Sequence, residues 1–182
     1  MSPVAAEFTR PVGIDTLGST PRQIAVEANE AERTALARRF SLVAIDRLAA
    51  DLSLVRTGES VTAWGTVHAV VTQSCVASGE PVEATIDAPF EIRFSPEPES
   101  HPGSDEEIEL SEAECDVVFY DGVALDVGEA VAETLALNLD PWPRAPGADE
   151  ALREAGIKSE EEAGPFAALA GLKEKLGSGN KG

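Results

Sequence analysis

Val82-Glu-Ala-Thr-Ile-Asp-Ala-Pro-Phe-Glu-Ile-Arg-Phe94 alternates throughout. Val82, Ala84, Ile86, Ala88, Phe90, Ile92 and Phe94 fall on one side; Glu83, Thr85, Asp87, Glu91 and Arg93 fall on the other. A period of two sends successive side chains to opposite faces of a pleated strand, so one face meets a core and the other meets water. Half-wetted strands belong to antiparallel sheets, because parallel sheets are covered on both faces and read as continuous apolar runs. Pro89 lies on the polar side and has no N–H to give a ladder, which predicts an edge or a break there.

Reading outward toward the N-terminus, Ala77-Ser-Gly-Glu-Pro81 supplies a loop. Before it, Val61, Ala63, Gly65, Val67, Ala69 and Val71 share one face of a strand, with Trp64, Thr66 and His68 on the other. Leu48, Ala50, Leu52 and Leu54 alternate in the run before that, and Thr57-Gly58-Glu59 is the turn between the two. Asn29 followed by Glu32 has the spacing of a reciprocal cap, and Ala31, Ala35, Leu36 and Phe40 recur at helical spacing, which predicts a helix over 30–40. Residues 1–28 read as an edge strand followed by an irregular or extended segment.

Toward the C-terminus, residues 95–116 hold nine acidic side chains and no Lys or Arg, and read as a mobile acidic loop. Val117-Val-Phe-Tyr120 is a short strand ending at the turn pair Asp121-Gly122. Asp126 and Glu129 open a helix over about 127–139, whose stripe is Val127, Ala130, Val131, Thr134, Leu135 and Leu139. Asp140-Pro-Trp-Pro143 ends it, because prolines cannot continue a helix and push their predecessors to extended geometry. Residues 148–163 read as a charged, weakly helical linker. Pro165, Phe166, Leu169, Leu172 and Leu176 mark an amphipathic helix over 164–176, and 177–182 is a disordered tail. The expected fold is α+β: an antiparallel sheet, open or barrel-like, with three or four packed helices in a core domain over residues 1–147.

The chain's 182 residues carry a net charge of -19, from 33 Asp and Glu against 14 Lys and Arg. Residues 1–56 are balanced at seven of each sign, so the whole excess lies in 57–182; between Arg56 and Arg144 the single basic side chain is Arg93. A broad grip on nucleic-acid phosphates needs many cations, so this distribution favours a basic partner. The one plausible basic patch is Arg33, Arg38, Arg39 and Arg47. No apolar run reaches the ~18 residues of a membrane helix, and the N-terminus lacks a secretory pattern. Two cysteines without a C-x-x-C pair fit a reducing cytoplasm.

Cys75, Cys115, His68 and His101 lack metal-ligand spacing, and no nucleophile elbow or phosphate-binding glycine loop occurs. The expectation is a non-enzymatic protein without cofactor, metal or small-molecule substrate.

Three segments in order resemble the YceD family: Val70-Val-Thr-Gln-Ser-Cys-Val-Ala-Ser-Gly-Glu-Pro-Val82, the run from Leu125 through Asn138-Leu-Asp-Pro-Trp-Pro143, and Gly164-Pro-Phe-Ala-Ala-Leu-Ala-Gly-Leu-Lys173. The resemblance implies a role in 23S rRNA accumulation or processing and in large-subunit assembly, with ribosomal proteins or assembly intermediates as partners and no established catalytic residues. Many members carry a C-x-x-C pair in the first segment; here Thr72 stands at its first position and Cys75 at its second. The candidate partner-binding residues are Pro141, Trp142, Pro143, Pro165, Phe166, Leu169, Leu172 and Lys173. The alternative is direct rRNA contact or processing through Arg33, Arg38, Arg39 and Arg47.

Overall fold

The computed structural model describes residues 7–96 and 117–157. In chain order these hold β1 (Pro11–Gly13), a 3-10 turn (Ile14–Thr16), β2 (Arg22–Glu27), α1 (Glu30–Arg39), β3 (Ala44–Thr57), β4 (Ser60–Ser74) and β5 (Pro81–Pro96). They continue with β6 (Val117–Tyr120), β7 (Ala124–Asp126), α2 (Val127–Leu137) and α3 (Ala148–Glu154). The chain divides into two compact units: residues 1–73 with 83–141, and residues 74–82 with 142–182.

The first unit is built on a five-stranded sheet of order β2-β3-β4-β5-β6. Its core face carries the residues the alternation put there: Leu48, Leu54, Val61, Val67, Val71, Phe90 and Phe94 are almost fully buried. β3 and β4 pair antiparallel around the turn at Gly58, and Gly65 is required where β4 passes the Asp51 carbonyl of β3. A Cβ at Gly65 would fall inside the Asp51 carbonyl oxygen. The short loop between β4 and β5 allows only antiparallel pairing. Side-chain bonds Ser60–Ser95 and His68–Asp87 set one common register for that pair.

The fold class is α+β as expected, with two corrections. The sheet is open, not barrel-like: β2 and β6 end it and do not pair with each other. It is also not wholly antiparallel, because β6 runs parallel to β5 along Arg93–Pro96. Parallel pairing needs a long connection, which residues 97–116 supply. The rest of β5's far edge has no partner among the described residues, which accommodates Pro89 without breaking the strand. The Tyr120 hydroxyl donates to the Glu59 carbonyl and fixes the end of β6 against the β3–β4 turn.

Part of the segment expected to be irregular or extended is β2, an edge strand paired with β3. Its few residues alternate weakly, so only the ladder reveals it. β1 pairs antiparallel with β7 in a separate two-stranded sheet. Asn29 and Glu32 form the reciprocal cap of α1. That helix ends at Phe40 and Ser41, the latter left-handed at φ 57°. The Asp126 carboxylate caps α2 by accepting from Gly128 and Glu129, and accepts from the Arg10 N–H as well. A Cβ at Gly128 would collide with the Phe8 carbonyl, so glycine is needed for this close approach. α2 stops at Leu137, two residues before the expected end, and buries Val127, Ala130, Val131, Thr134 and Leu135.

In the second unit, Cys75, Ala145 and Ala148 form a small buried cluster with Ala77 and Val82 against it. α3 falls within the segment read as a weakly helical linker. The expected 164–176 helix, the 177–182 tail and most of the 95–116 loop lie outside the described residues.

Candidate functional site

The N-terminal arginines are largely engaged within the first unit. Arg10 forms a two-pronged pair with Glu32 at 2.7 and 2.8 Å, stacks over Phe8, and also donates to the Glu27 carbonyl. This pairing lowers the Glu32 pKa and raises that of Arg10. Arg39 binds both carboxylate oxygens of Glu129, at 2.6 and 3.0 Å, and reaches Glu7 at 3.2 Å; its pKa rises chiefly through the bond to Glu129. Arg33 donates to the Ala28 carbonyl at 2.7 Å. Of the four expected RNA-contact arginines, Arg33 and Arg38 line one hollow beside Leu42 and Val43, together with Glu30 and Asp46. Arg47 is exposed on β3, opposite Val70.

The polar face of the sheet is ordered by strand register. Gln23, Ser53 and Trp64 form one row; Ala25, Asp51 and Thr66 a second; Glu27, Ala49 and His68 a third. The register set by His68–Asp87 and Ser60–Ser95 adds Glu91, Pro89 and Asp87 to these rows in that order. Glu27, Asp51, Asp87 and Glu91 are exposed, and Trp64 is 38% exposed.

In the second unit Cys75 is 3% exposed and begins a tight turn: its N–H donates to the Glu80 carbonyl and its carbonyl accepts from Gly79. The sulfur takes hydrogen bonds from the Ala145 N–H first, then from Ser78. These donors bring the thiol pKa down to about 6, outweighing a desolvation that is weak in so small a cluster. Val76 donates to the Pro143 carbonyl at 2.9 Å.

Of the expected partner-binding residues, Pro141 is exposed, Trp142 is 72% exposed and Pro143 is buried. Pro165, Phe166, Leu169, Leu172 and Lys173 lie outside the described residues. Sequence reading missed the Arg39–Glu129 pair and the Ala145 donor to Cys75, because both join residues far apart in the chain. Glu83, Asp87 and Glu91, four residues apart on the outer side of β5, were the available signal for the acidic face.

The described residues thus define an α+β protein with one open, carboxylate-bearing sheet face; among them, no group of three or more His, Cys, Asp or Glu could hold a metal ion, and no helix is long and apolar enough to cross a membrane. The family model described as large ribosomal RNA subunit accumulation protein YceD matches residues 63–173, more than half of the chain. The protein belongs to this family, whose description ties it to large-subunit ribosomal RNA. No curated protein and no solved structure matches the chain.

Proposed function

We propose that the protein is a non-enzymatic, cytoplasmic ribosome-biogenesis factor that supports 23S rRNA accumulation by engaging basic ribosomal proteins or large-subunit precursors. Family membership supplies the process. The observation that favours a protein partner is the contrast in charge: Arg10, Arg33 and Arg39 bond within the chain, while carboxylates stand exposed on the sheet. Acidic surfaces attract basic partners over a distance set by salt, so association should weaken as ionic strength rises. Purified protein is expected to co-sediment with large-subunit precursors and to capture ribosomal proteins at low salt, losing both at high salt. Absence of both at low salt would sink the reading.

Direct rRNA contact is the second reading. It is favoured by Arg38 and Arg47, which are exposed and form no ion pair among the described residues. Replacing Arg33, Arg38, Arg39 and Arg47 while measuring binding of 23S fragments tests it; unchanged binding rejects it. The 164–176 helix, with Phe166 and Leu169 on its apolar stripe and Pro141-Trp-Pro143 upstream, is proposed as a handle for the protein partner. Deleting 164–176 should then leave thermal stability unchanged, whereas a large fall in melting temperature would assign it to the core.

A further inference from the structure

We propose that the polar face of β2–β5 is the docking surface for an extended, arginine-rich segment of a protein partner. This deepens the assembly-factor reading and rests on it.

Three consecutive rows cross four strands: Gln23-Ser53-Trp64-Glu91, Ala25-Asp51-Thr66-Pro89 and Glu27-Ala49-His68-Asp87. Every Asp, Glu, Lys or Arg within them is a carboxylate, and Arg47 and Arg93 occur only in the rows beyond. His68 is bonded to Asp87. Between β2 and β3 lies a hollow of about 410 Å³ along Gln23, Ala25, Asp51 and Ser53. The small side chains of Ala25 and Ser53 leave this space, and Asp51 sets a negative charge in it. Trp64 pairs with the lining residue Ser53 on the neighbouring strand.

A guanidinium fits this combination better than an ammonium. It is planar, stacks on an indole face and can take a carboxylate with two parallel N–H bonds. Charge complementarity selects against RNA, whose phosphates would meet Glu27, Asp51, Asp87 and Glu91. The second row ends at Pro89, which gives β5 no ladder hydrogen at that point. The partner therefore lies over the side chains and does not extend the sheet there.

The test uses the full chain with Trp142→Phe, so that Trp64 alone reports, and a synthetic peptide alternating arginine and serine. Peptide titration is expected to shift Trp64 emission saturably. Asp51→Asn with Glu91→Gln should weaken binding by about tenfold, from two lost surface pairs and poorer stacking at Trp64. The charge-matched control Glu133→Gln with Glu154→Gln should bind like the parent. Circular dichroism of each variant should be unchanged, since the altered side chains are exposed. Equal weakening by both pairs, or binding without a Trp64 response, would overturn the assignment, as would a saturable Trp64 response to an RNA oligomer. Co-sedimentation, done with parent and variant chains that both keep Trp142, separates the two levels. If the parent chain joins large-subunit precursors and the Asp51/Glu91 variant joins them equally, the face is wrong and the assembly role stands. If the parent fails to join, the assembly role itself falls.

Discussion

The two compact units solve the same problem with different materials. The first buries large side chains: Phe8, Phe90, Phe94, Leu36, Leu48, Leu54, Leu125 and Leu135 are all almost wholly enclosed. Among its described residues, the second packs a thiol and two alanines into its buried apolar cluster, with backbone bonds such as Cys75 to Glu80, Val76 to Pro143 and Gly79 to Cys75. Apolar burial scales with area, so the first unit has a stabilising term larger than that of the described part of the second. The backbone bonds named in the second each contribute only about 1 kcal/mol net. Global stability should therefore respond to core truncation in the first unit, whereas the second should show its character through local opening and thiol chemistry.

Phe90→Ala should produce the largest loss, about 3–5 kcal/mol in chemical denaturation, because it empties a fully buried ring site. A loss no larger than that of Ala148→Gly would erase the contrast between the units. Asp126→Ala should cost less, about 1–2 kcal/mol, by removing the oxygen that accepts from Arg10, Gly128 and Glu129. Asp126→Asn should recover part of this, because the amide oxygen still accepts.

Cys75 sharpens the second unit. In a Cys115→Ser background, thiolate absorbance should titrate near pH 6, well below the ordinary thiol value of 9.0. A folded-state pKa below the unfolded one means that unfolding takes up protons between the two values. The resulting stabilisation is complete above the unfolded thiol range, falls as pH drops toward about 6, and is absent below it. Amide exchange at Val76 and Gly79 should follow that window. A titration near the ordinary thiol value would remove the proposed role of the Ala145 and Ser78 donors. The smallest effect is expected at Ser41, the left-handed residue after α1: Ser41→Gly should stabilise by about 0.5 kcal/mol, with backbone relief partly offset by greater unfolded-chain freedom.

Short-range signals were readable in advance. The Asn29–Glu32 cap, the Gly58 turn and the alternating faces of β3, β4 and β5 depend on neighbours within a few residues, and all appear where expected. The acidic character of β5's outer side was equally legible. Its place in the site was not, because Glu91 joins Trp64 and Ser53 only across three paired strands. The arginine cluster shows the reverse: its positive sequence signature conceals Arg39's bonding to Glu129, ninety residues away.

By itself the sequence determined the α+β class, the period and faces of the long strands, the helix caps and the uneven charge. These follow from covalent geometry and near-neighbour chemistry, which are written into spacing. Tertiary structure alone decided that the sheet stays open, that β6 returns parallel to β5, and which charges face solvent together. Those outcomes depend on which distant segments pair, a choice made by ladder register and shared burial that no local spacing encodes.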